Sequence, residues 1–473
     1  MTLSFGILSG IAILAFIRYR FVAACLLGYF MLMFVMRLNS AYYVSLYGPV
    51  YSDNLKRMIS NPDAGYFFSL ALLCTLLPFA LILRPARLRE LAAKRTTVYS
   101  ERLFSAASMA LLGSAALYIL ALYVDLFRRG IIPVFSCMER YDYVPFAGPL
   151  HLPLFHYGPI ALMLFGGMTV YRKIQGGRYD FRYIFLFMLV VIYALLTGHR
   201  FSAPVVFLAY FAMPFGVLFL SKTMFAHMVF VPKNGNDDFF RFWAHPVFLA
   251  SSTFIIFLVL VGAALLNSYA NMRSYGCKST WAGGPAPKII SRDADLKLAR
   301  ARFKERVLIQ PSELWIDALN RLLLEEGFDP ERAIRFHFVH PGLAGGDVGI
   351  RYLMARSIGF EKEQLYYNHG QQFQGGYPSI FLELFGPLGG WPAMMLAGLL
   401  YAAVLLWWLT ALVNGRLVSF FLVSYMYFAM SALYSSGSMT FLVAVTFWIK
   451  FLFALIASLV ERSAAFKARL GGH

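Results

Sequence analysis

The sequence contains few charged residues for its length. Asp, Glu, Lys and Arg make up 14% of its 473 residues, whereas soluble globular proteins carry about 25%. Hydrophobic residues make up 59% of the chain, and the mean hydropathy is +0.63. The aromatic content of 17% fits the same class, because Trp and Tyr anchor helices at membrane interfaces. The composition excludes an ordinary soluble domain and indicates an integral membrane protein.

Several motifs of metalloenzymes and hydrolases are also absent. There is no H-E-x-x-H and no C-x-x-C, so we expect no metal site, and there is no G-x-S-x-G nucleophile motif. Asp293-Ala-Asp295 has the D-x-D pattern of nucleotide-sugar transferases. It begins an amphipathic stretch after Ser291, where acidic residues suit a helix N-terminus, so we interpret the pair as capping. We therefore expect no cofactor.

Apolar runs divide most of the chain into candidate membrane-spanning helices. A hydrocarbon core of about 30 Å requires roughly 17–25 apolar residues in a helix, and about eleven runs qualify. The sequence thus predicts an all-α polytopic integral membrane protein. The predicted spans lie near residues 2–17, 21–38, 64–83, 103–125, 155–171, 183–198, 201–221, 247–267, 390–412, 417–435 and 438–460.

The basic residues predict the orientation of these spans. The formal charge of +18 comes mostly from short clusters between apolar runs, which is the pattern of membrane topology and not of nucleic-acid binding. Most of these clusters fall on one face, which the positive-inside rule makes cytoplasmic. The C-terminus is then inside and the N-terminus outside. The short loops of the outer face hold only Lys56, Arg57, Arg128, Arg129 and Arg140.

This orientation predicts three chain segments. Residues 1–267 form an N-terminal bundle of about eight helices. Residues 268–389 form a large, mainly helical outer loop, too long for a simple connection. Residues 390–473 form about three further helices and a cytoplasmic tail.

Helical patterns recur inside the predicted loop. Pro311-Ser312 opens a helix with an apolar face that includes Leu314 and Leu322, and Gly327 is placed to end it. A short helix is predicted from about 348 to 359, with Asp347 as its cap.

The four cysteines divide into two pairs by location. Cys25 and Cys74 fall inside predicted spans and are expected to be packing residues. Cys137 and Cys277 fall in outer segments, where an oxidising compartment permits a disulfide. We propose their pairing as one of two equal alternatives, the other being two free thiols.

Charged side chains concentrate at the outer ends of the spans. Only Lys450 lies in the middle of a predicted span, with Glu383 near a boundary, whereas a transporter usually keeps ionisable residues near the midplane. We therefore expect chemistry at the outer membrane surface. Arg200 interrupts the apolar run from 183 to 221, where a charge is costly; the alternative for Arg200 is an interfacial anchor.

The stretch from Arg335 to Arg356 is the richest in chemical groups. Glycines before the 348–359 helix would let backbone amides approach an anion, with Arg351 and Arg356 adding fixed charge. This arrangement is compatible with a pyrophosphate cradle, and equally with a structural loop. His337, His340 and His369 are the candidates for a base, although each is also compatible with a structural role.

Two motifs resemble one family of membrane enzymes. Residues 376–390 read Gly-Tyr-Pro-Ser-Ile-Phe-Leu-Glu-Leu-Phe-Gly-Pro-Leu-Gly-Gly. This Glu-x-x-Gly-x-x-Gly arrangement resembles the Wzy-type O-antigen and oligosaccharide repeat-unit polymerases and the related O-antigen ligases. Residues 196–202, with Arg200, resemble the Gly-x-Arg segment of those polymerases. Where many relatives carry His-Asn before the Glu motif, this chain has Gly375-Gly376, and His369 lies further upstream.

The resemblance implies a metal-independent glycosyltransferase of GT-C-like fold in the bacterial inner membrane, with its active site facing the periplasm. It would transfer the growing glycan from undecaprenyl pyrophosphate to the non-reducing end of a new lipid-linked repeat unit. Cations would stabilise the pyrophosphate leaving group, and a base would take the acceptor proton. Its implied partners are the lipid-linked glycan, membrane lipids and a chain-length-regulating co-polymerase, and no nucleic acid.

The resemblance also suggests site residues. The candidate binders of diphosphate or sugar are Arg200, Arg273, Arg335, Arg351, Arg356 and Tyr377. The candidate bases are His340, His369 and Glu383, with Asp347 as an orienting residue.

Three alternatives stay open at this point. An O-antigen ligase would use the same donor with a lipid A core acceptor. A single-sugar transferase using a polyprenyl-phosphate sugar would carry acidic pairs in its first outer loop, where only Asp53 and Asp63 stand, ten residues apart. A flippase or transporter of lipid-linked glycan predicts paired charges within the spans and duplicated halves, and the sequence shows neither.

Overall fold

In a computed structural model, the chain is mostly helical. The structure describes residues 2–93, 101–130, 132–133, 143–174, 179–199, 202–220, 305, 308–325, 327–335, 349–368, 373 and 375–470. Two compact units are distinguished. The first combines Met1–Phe104 with Arg300–His473, and the second is Ser105–Ala299.

The elements follow in chain order. Those before residue 221 are α1 (Thr2–Tyr19), α2 (Phe21–Tyr47), β1 (Val50–Ser52), β2 (Arg57–Ile59), α3 (Ala64–Ile82), α4 (Pro85–Ala93), α5 (Glu101–Arg129), a 3-10 turn (Val144–Phe146), α6 (His151–Ile174), α7 (Phe181–Leu196), α8 (Ser202–Ala212) and a 3-10 helix (Met213–Leu220). The later ones are a 3-10 turn (Gln310–Ser312), α9 (Glu313–Asn320), a π turn (Arg321–Glu325), α10 (Pro330–Ile334), α11 (Ile350–Ile358), α12 (Phe360–Asn368), α13 (Ser379–Val413), α14 (Leu417–Ser436), α15 (Thr440–Val443) and α16 (Val445–Leu470).

Five of the described helices are long and apolar enough to cross a membrane: α3, α5, α6, α13 and α14. Shorter apolar helices lie at Ser4–Tyr19, Phe181–Leu196 and Ala203–Leu218. Each predicted span coincides with a described helix except 247–267, which lies outside the described residues. The prediction of a helical protein with several candidate membrane-spanning helices is therefore confirmed. The count of about eleven and the three-segment division stay predictions.

The helix that contains the second predicted span extends beyond the span. The sequence places this end at residue 38, immediately after Arg37, whereas α2 continues to Tyr47. The helix continues because Arg37 is fully buried among backbone carbonyl groups, which satisfy its guanidinium inside the bundle. An arginine with such partners does not mark the end of a buried helix.

In the first unit, α3 and α13 pack closely. A Cβ on Gly398 of α13 would lie 2.9 Å from the Pro78 ring of α3, so the absence of a side chain permits this approach. One turn away, the Tyr401 ring meets Phe79 edge-on, with ring centroids 5.2 Å apart. The glycine thus lets the two helices approach closely, and an aromatic pair packs beside it.

A kink divides α13 into a short N-terminal helix and a long apolar one. Gly386 has φ +75° and ψ 175°, a conformation that is essentially restricted to glycine. The Phe328 ring would lie 3.0 Å from a Cβ at this position. The glycine of the Glu-x-x-Gly segment therefore breaks the helix directly after the turn that carries Glu383.

Another glycine contact joins the end of α14 to the chain before α13. The Gly376 amide donates to the Ser436 carbonyl at 3.0 Å, and a Cβ on Gly437 would lie 2.5 Å from the Gly376 carbonyl carbon. The Gly-Gly pair before the Glu motif thus permits two backbone segments to touch.

Two predictions within the large loop are confirmed. The helix opened by Pro311-Ser312 runs through α9, and Gly327 closes it with φ +74°. The predicted 348–359 helix is α11, between Gly349 and Gly359. Its N-cap is Gly349, without a side-chain cap; Asp347, the predicted cap, lies outside the described residues.

Candidate functional site

Five charged side chains of the first unit form what we call the ion-pair cluster: Arg57, Asp317, Arg321, Arg356 and Glu383. Arg321 bridges the two carboxylates, because its Nη2 donates to Glu383 Oε1 at 2.8 Å and its Nη1 donates to Asp317 Oδ2. Arg57 pairs with the other oxygen of Asp317. Arg356 Nε lies 4.0 Å from Glu383 Oε2.

The cluster is buried at its centre, and two of its arginines are more exposed. The side chains of Asp317, Arg321 and Glu383 are only 2–3% exposed, whereas that of Arg57 is 44% exposed and that of Arg356 is 13% exposed. Three guanidinium groups face two carboxylates in this cluster, and Asp329 also interacts electrostatically with Arg356. Buried charges need such pairing, because their desolvation is otherwise costly.

The local sequence explains how α9 supplies its part of the cluster. Glu313, Asp317 and Arg321 follow one another at intervals of four residues, which places them on one helical face. Ser357 of α11 completes this face, since its Oγ lies 2.6 Å from Asp317 Oδ2 and accepts from Arg321 Nη1 at 3.1 Å.

The same face of α9 holds the β1–β2 hairpin through a second carboxylate. Glu313 is fully buried and accepts hydrogen bonds from Ser52 Oγ at 2.7 Å and Asn54 Nδ2 at 2.5 Å. The pKa of Glu313 is raised to about 7, mainly by burial and to a smaller extent by the nearby Glu305, against the two hydrogen bonds, which lower it. A carboxyl group with this pKa changes its charge near neutral pH.

Two of the predicted site residues meet in the ion-pair cluster, and a third lies apart from it. Glu383 and Arg356 are the members that the sequence singles out. Arg351 lies on α11 but pairs with Glu363 of α12, with Arg351 Nη2 donating to Glu363 Oε2 at 2.8 Å. Both side chains of that pair are at most 3% exposed. The charge of Arg351 is thus compensated within the fold.

The other described candidates lie in different surroundings. Arg335 is exposed and pairs with Glu331 at 2.7 Å. Tyr377 is fully buried, its hydroxyl bonds with Thr75, and its ring lies 4.5 Å from that of Tyr434. Tyr377 therefore belongs to the core of the first unit in this structure.

Several predicted residues lie outside the described residues, and their roles stay predictions. They are Arg200, Arg273, His340, Asp347, His369, Cys137 and Cys277.

The sequence analysis missed Arg37 and most of the ion-pair cluster. Arg37 donates to the carbonyls of Tyr377 and Tyr434 at 3.2 and 3.1 Å, and to that of Ser435. It thereby joins the start of α13 to the end of α14. A charge within an apolar helix was the available signal for Arg37, and the four-residue spacing was the signal for Asp317 and Arg321.

A separate polar group lies in the second unit, close to the predicted Gly-x-Arg segment. His151 begins α6, is 1% exposed, and its Nδ1 lies 3.0 Å from the Tyr193 hydroxyl. The His199 ring stacks on Phe155 with centroids 3.8 Å apart. Among the described residues, His151 Nε2 and the Tyr143 hydroxyl have no hydrogen-bond partner. This site offers neutral polar groups, unlike the charged cluster of the first unit.

Residues 343–464 match a protein family described as "Family of unknown function (DUF6418)". The matched region contains α11 to α15 and most of α16, and therefore Arg356, Glu363 and Glu383. No curated protein and no solved structure matches the chain.

Proposed function

We propose that this protein polymerises undecaprenyl-pyrophosphate-linked oligosaccharide repeat units at the periplasmic face of the bacterial inner membrane. It transfers the growing glycan from its lipid carrier to the non-reducing end of a new lipid-linked repeat. The resemblance of residues 376–390 and 196–202 to Wzy-type polymerases supports this class of reaction. The full set of about eleven spans and the GT-C-like fold are part of the proposal.

The observation that carries the proposal is the group of guanidinium side chains around Glu383. The acid of the family-like motif is buried against Arg321 and Arg356, and Arg57 opens the same cluster to solvent. Fixed guanidinium groups at a partly buried site stabilise negative charge that develops on a phosphate leaving group. A diphosphate is the substrate group that best matches this charge.

The reaction divides into a bond exchange and a proton transfer. A hydroxyl oxygen of the acceptor repeat attacks the anomeric carbon of the donor glycan, and the bond from that carbon to the pyrophosphate oxygen breaks. Arg57 and Arg356, the more exposed cations, bind the departing pyrophosphate, while Arg321 and Asp317 hold the cluster in place. Glu383 orients Arg356, and His340 or His369 takes the acceptor proton.

The test is glycan display in a strain that lacks the gene, complemented with the wild type, Arg57→Ala or Arg356→Ala. Removing one hydrogen-bond donor that stabilises the charge developing in the transition state typically lowers the rate about 100-fold. Both variants should therefore lose the glycan ladder. Arg332→Ala is the matched control, because Arg332 is half-exposed and pairs with Asp329 of its own turn.

The pattern of products separates the candidate functions. A lipid A core that bears one repeat unit and no ladder supports the polymerase. Loss of all capped core, with lipid-linked polymer accumulating, supports the ligase instead. An unchanged ladder in the deleted strain contradicts both.

A further inference from the structure

A groove lies between two helices of the first unit, at the end opposite to the ion-pair cluster. α13 and α16 both run away from the cluster end, so their C-terminal turns lie at the face where the basic residues concentrate. One side of the groove is formed by Ala403, Leu406, Trp407 and Thr410 of α13. These positions follow the i, i+3, i+4, i+7 spacing, which is one face of a helix.

The facing side of the groove has the same spacing. Leu455, Ser458, Leu459 and Arg462 of α16 line it, and these positions again form a single helical face. The cavity between the two helices has a volume of about 340 Å³. Trp407 Nε1 donates to Ser458 Oγ at 2.8 Å, which joins the two sides.

The groove is apolar at one end and cationic at the other. Arg462 follows Leu455 by seven residues, about 10 Å along the helix axis at 1.5 Å per residue. The guanidinium groups of Arg462 and of Arg87, from α4, therefore lie at the surface end of the groove. Both side chains are exposed, and neither forms an ion pair within the part of the chain that the structure describes.

The residue before Arg462 in the chain is Glu461, whose carboxylate is engaged by another helix. Glu461 is buried, and its carboxylate accepts from the backbone amides of Val418 and Ser419 at 3.1 and 3.2 Å, at the N-terminus of α14. Arg416 lies close enough to Arg462 for their repulsion to lower the pKa of Arg416, although its burial has the larger effect. Within the part of the chain that the structure describes, the two arginines at the surface end of the groove thus have no ion-pair partner.

We propose that this groove binds an anionic phospholipid of the membrane in which the protein lies. The phosphate sits between Arg87 and Arg462, and an acyl chain follows the apolar side chains of Leu406, Leu455 and Leu459. Basic pockets between membrane-spanning helices at the cytoplasmic surface suit such headgroups, because the lipid there is anionic. This inference does not rest on the proposed glycan transfer.

The test is native mass spectrometry of the purified full chain, titrated with phosphatidylglycerol or with phosphatidylcholine of the same acyl chains. We expect the wild type to bind phosphatidylglycerol about tenfold more tightly than phosphatidylcholine. Arg87→Gln with Arg462→Gln should abolish this preference. Arg18→Gln with Arg84→Gln is the control, since it removes the same charge from the same predicted face outside the groove.

A second variant separates groove binding from general attraction to charge. Ala403→Trp fills the apolar part of the groove and leaves every arginine in place, and it should also weaken phosphatidylglycerol binding. Ala403 is exposed, so the larger side chain leaves the core intact, which a melting curve checks. Equal binding of the two lipids by the wild type, or equal losses in the two arginine double variants, would overturn the proposal.

Discussion

At the scale of single residues, carboxylates within one unit lie in contrasting surroundings. Asp317 and Glu383 face guanidinium groups, whereas the hydrogen-bond donors of Glu313 are the neutral side chains of Ser52 and Asn54. Burial against neutral donors favours the protonated carboxyl, while burial against cations favours the carboxylate. The two kinds of site therefore respond differently to pH and to substitution.

The first prediction concerns the proton on Glu313. Its folded-state pKa of about 7 lies above its ordinary 4.5, so the folded protein keeps a proton that the unfolded chain releases. The free energy of unfolding should fall by about 3 kcal/mol as pH rises from about 4.5 to about 7, and this loss should vanish in Glu313→Gln. Melting temperatures at pH 5 and pH 8, in detergent, measure the difference. Glu325→Gln, an exposed change on the same segment, is the control and should show the same dependence of stability on pH as the wild type. Identical pH profiles for Glu313→Gln and the wild type would contradict the raised pKa of Glu313.

The second prediction concerns Arg321. Its guanidinium holds two buried carboxylates, so Arg321→Met should lower the free energy of unfolding by roughly 3–5 kcal/mol. Arg335→Met should change it by less than about 1 kcal/mol, because the pair with Glu331 is exposed. The double variant Arg321→Met/Glu383→Gln should lose less than the sum of the single losses, measured by chemical unfolding. Strict additivity would show that Arg321 and Glu383 do not interact.

At the scale of elements, α14 receives a charged side chain from another helix at each end. Glu461 of α16 accepts from its N-terminal amides, and Arg37 of α2 donates to its C-terminal carbonyls. Both signs match the helix dipole, which favours anions at the N-terminus and cations at the C-terminus. Two helices distant in sequence therefore fix the position of α14.

The third prediction concerns the kink of α13. Gly386→Ala should destabilise the protein by about 1–3 kcal/mol, because alanine is strained at this φ and ψ and its Cβ would contact Phe328. Gly10→Ala is the control, since nothing lies within 4 Å of a Cβ there. It should be neutral or stabilising by up to about 1 kcal/mol, as expected for glycine in a helix. Equal melting temperatures for the two variants would show that Gly386 is not required for the kink.

The elements were more predictable than their contacts. The apolar spacing of Leu314 and Leu322 and the position of Gly327 predict α9, because a helix is set by local pattern and local caps. The partners of Arg37 lie more than 300 residues away, and no spacing rule reaches them. Arg351 and Glu363 meet because two short helices join at Gly359, a turn whose geometry depends on tertiary packing.

At the scale of the whole molecule, positive charge lies at both ends of the first unit in different forms. At one end the arginines of the ion-pair cluster are largely matched by carboxylates; at the other, Arg87 and Arg462 have no ion pair among the described residues. The positive-inside rule makes cytoplasmic the face with more Lys and Arg in its short loops, and the sequence places Arg87 and Arg462 on that face. The paired cluster should therefore lie outside, and the groove at the cytoplasmic surface.

The fourth prediction is that reporter fusions will show this orientation. Alkaline phosphatase, which is active only outside the cytoplasm, should be active when fused after residue 328 and inactive after residues 415 and 473. Green fluorescent protein at the same three positions is the matched control and should give the opposite pattern. The expected pattern follows from the large loop lying outside and both C-terminal basic segments lying inside.

The reverse result would place Arg57 and Glu383 in the cytoplasm, away from periplasmic glycan donors, and Arg87 and Arg462 at the outer surface. The proposed reaction site would then face the wrong compartment, and the proposed lipid site would face the wrong leaflet. Both proposals would fail, whatever the affinity of either site.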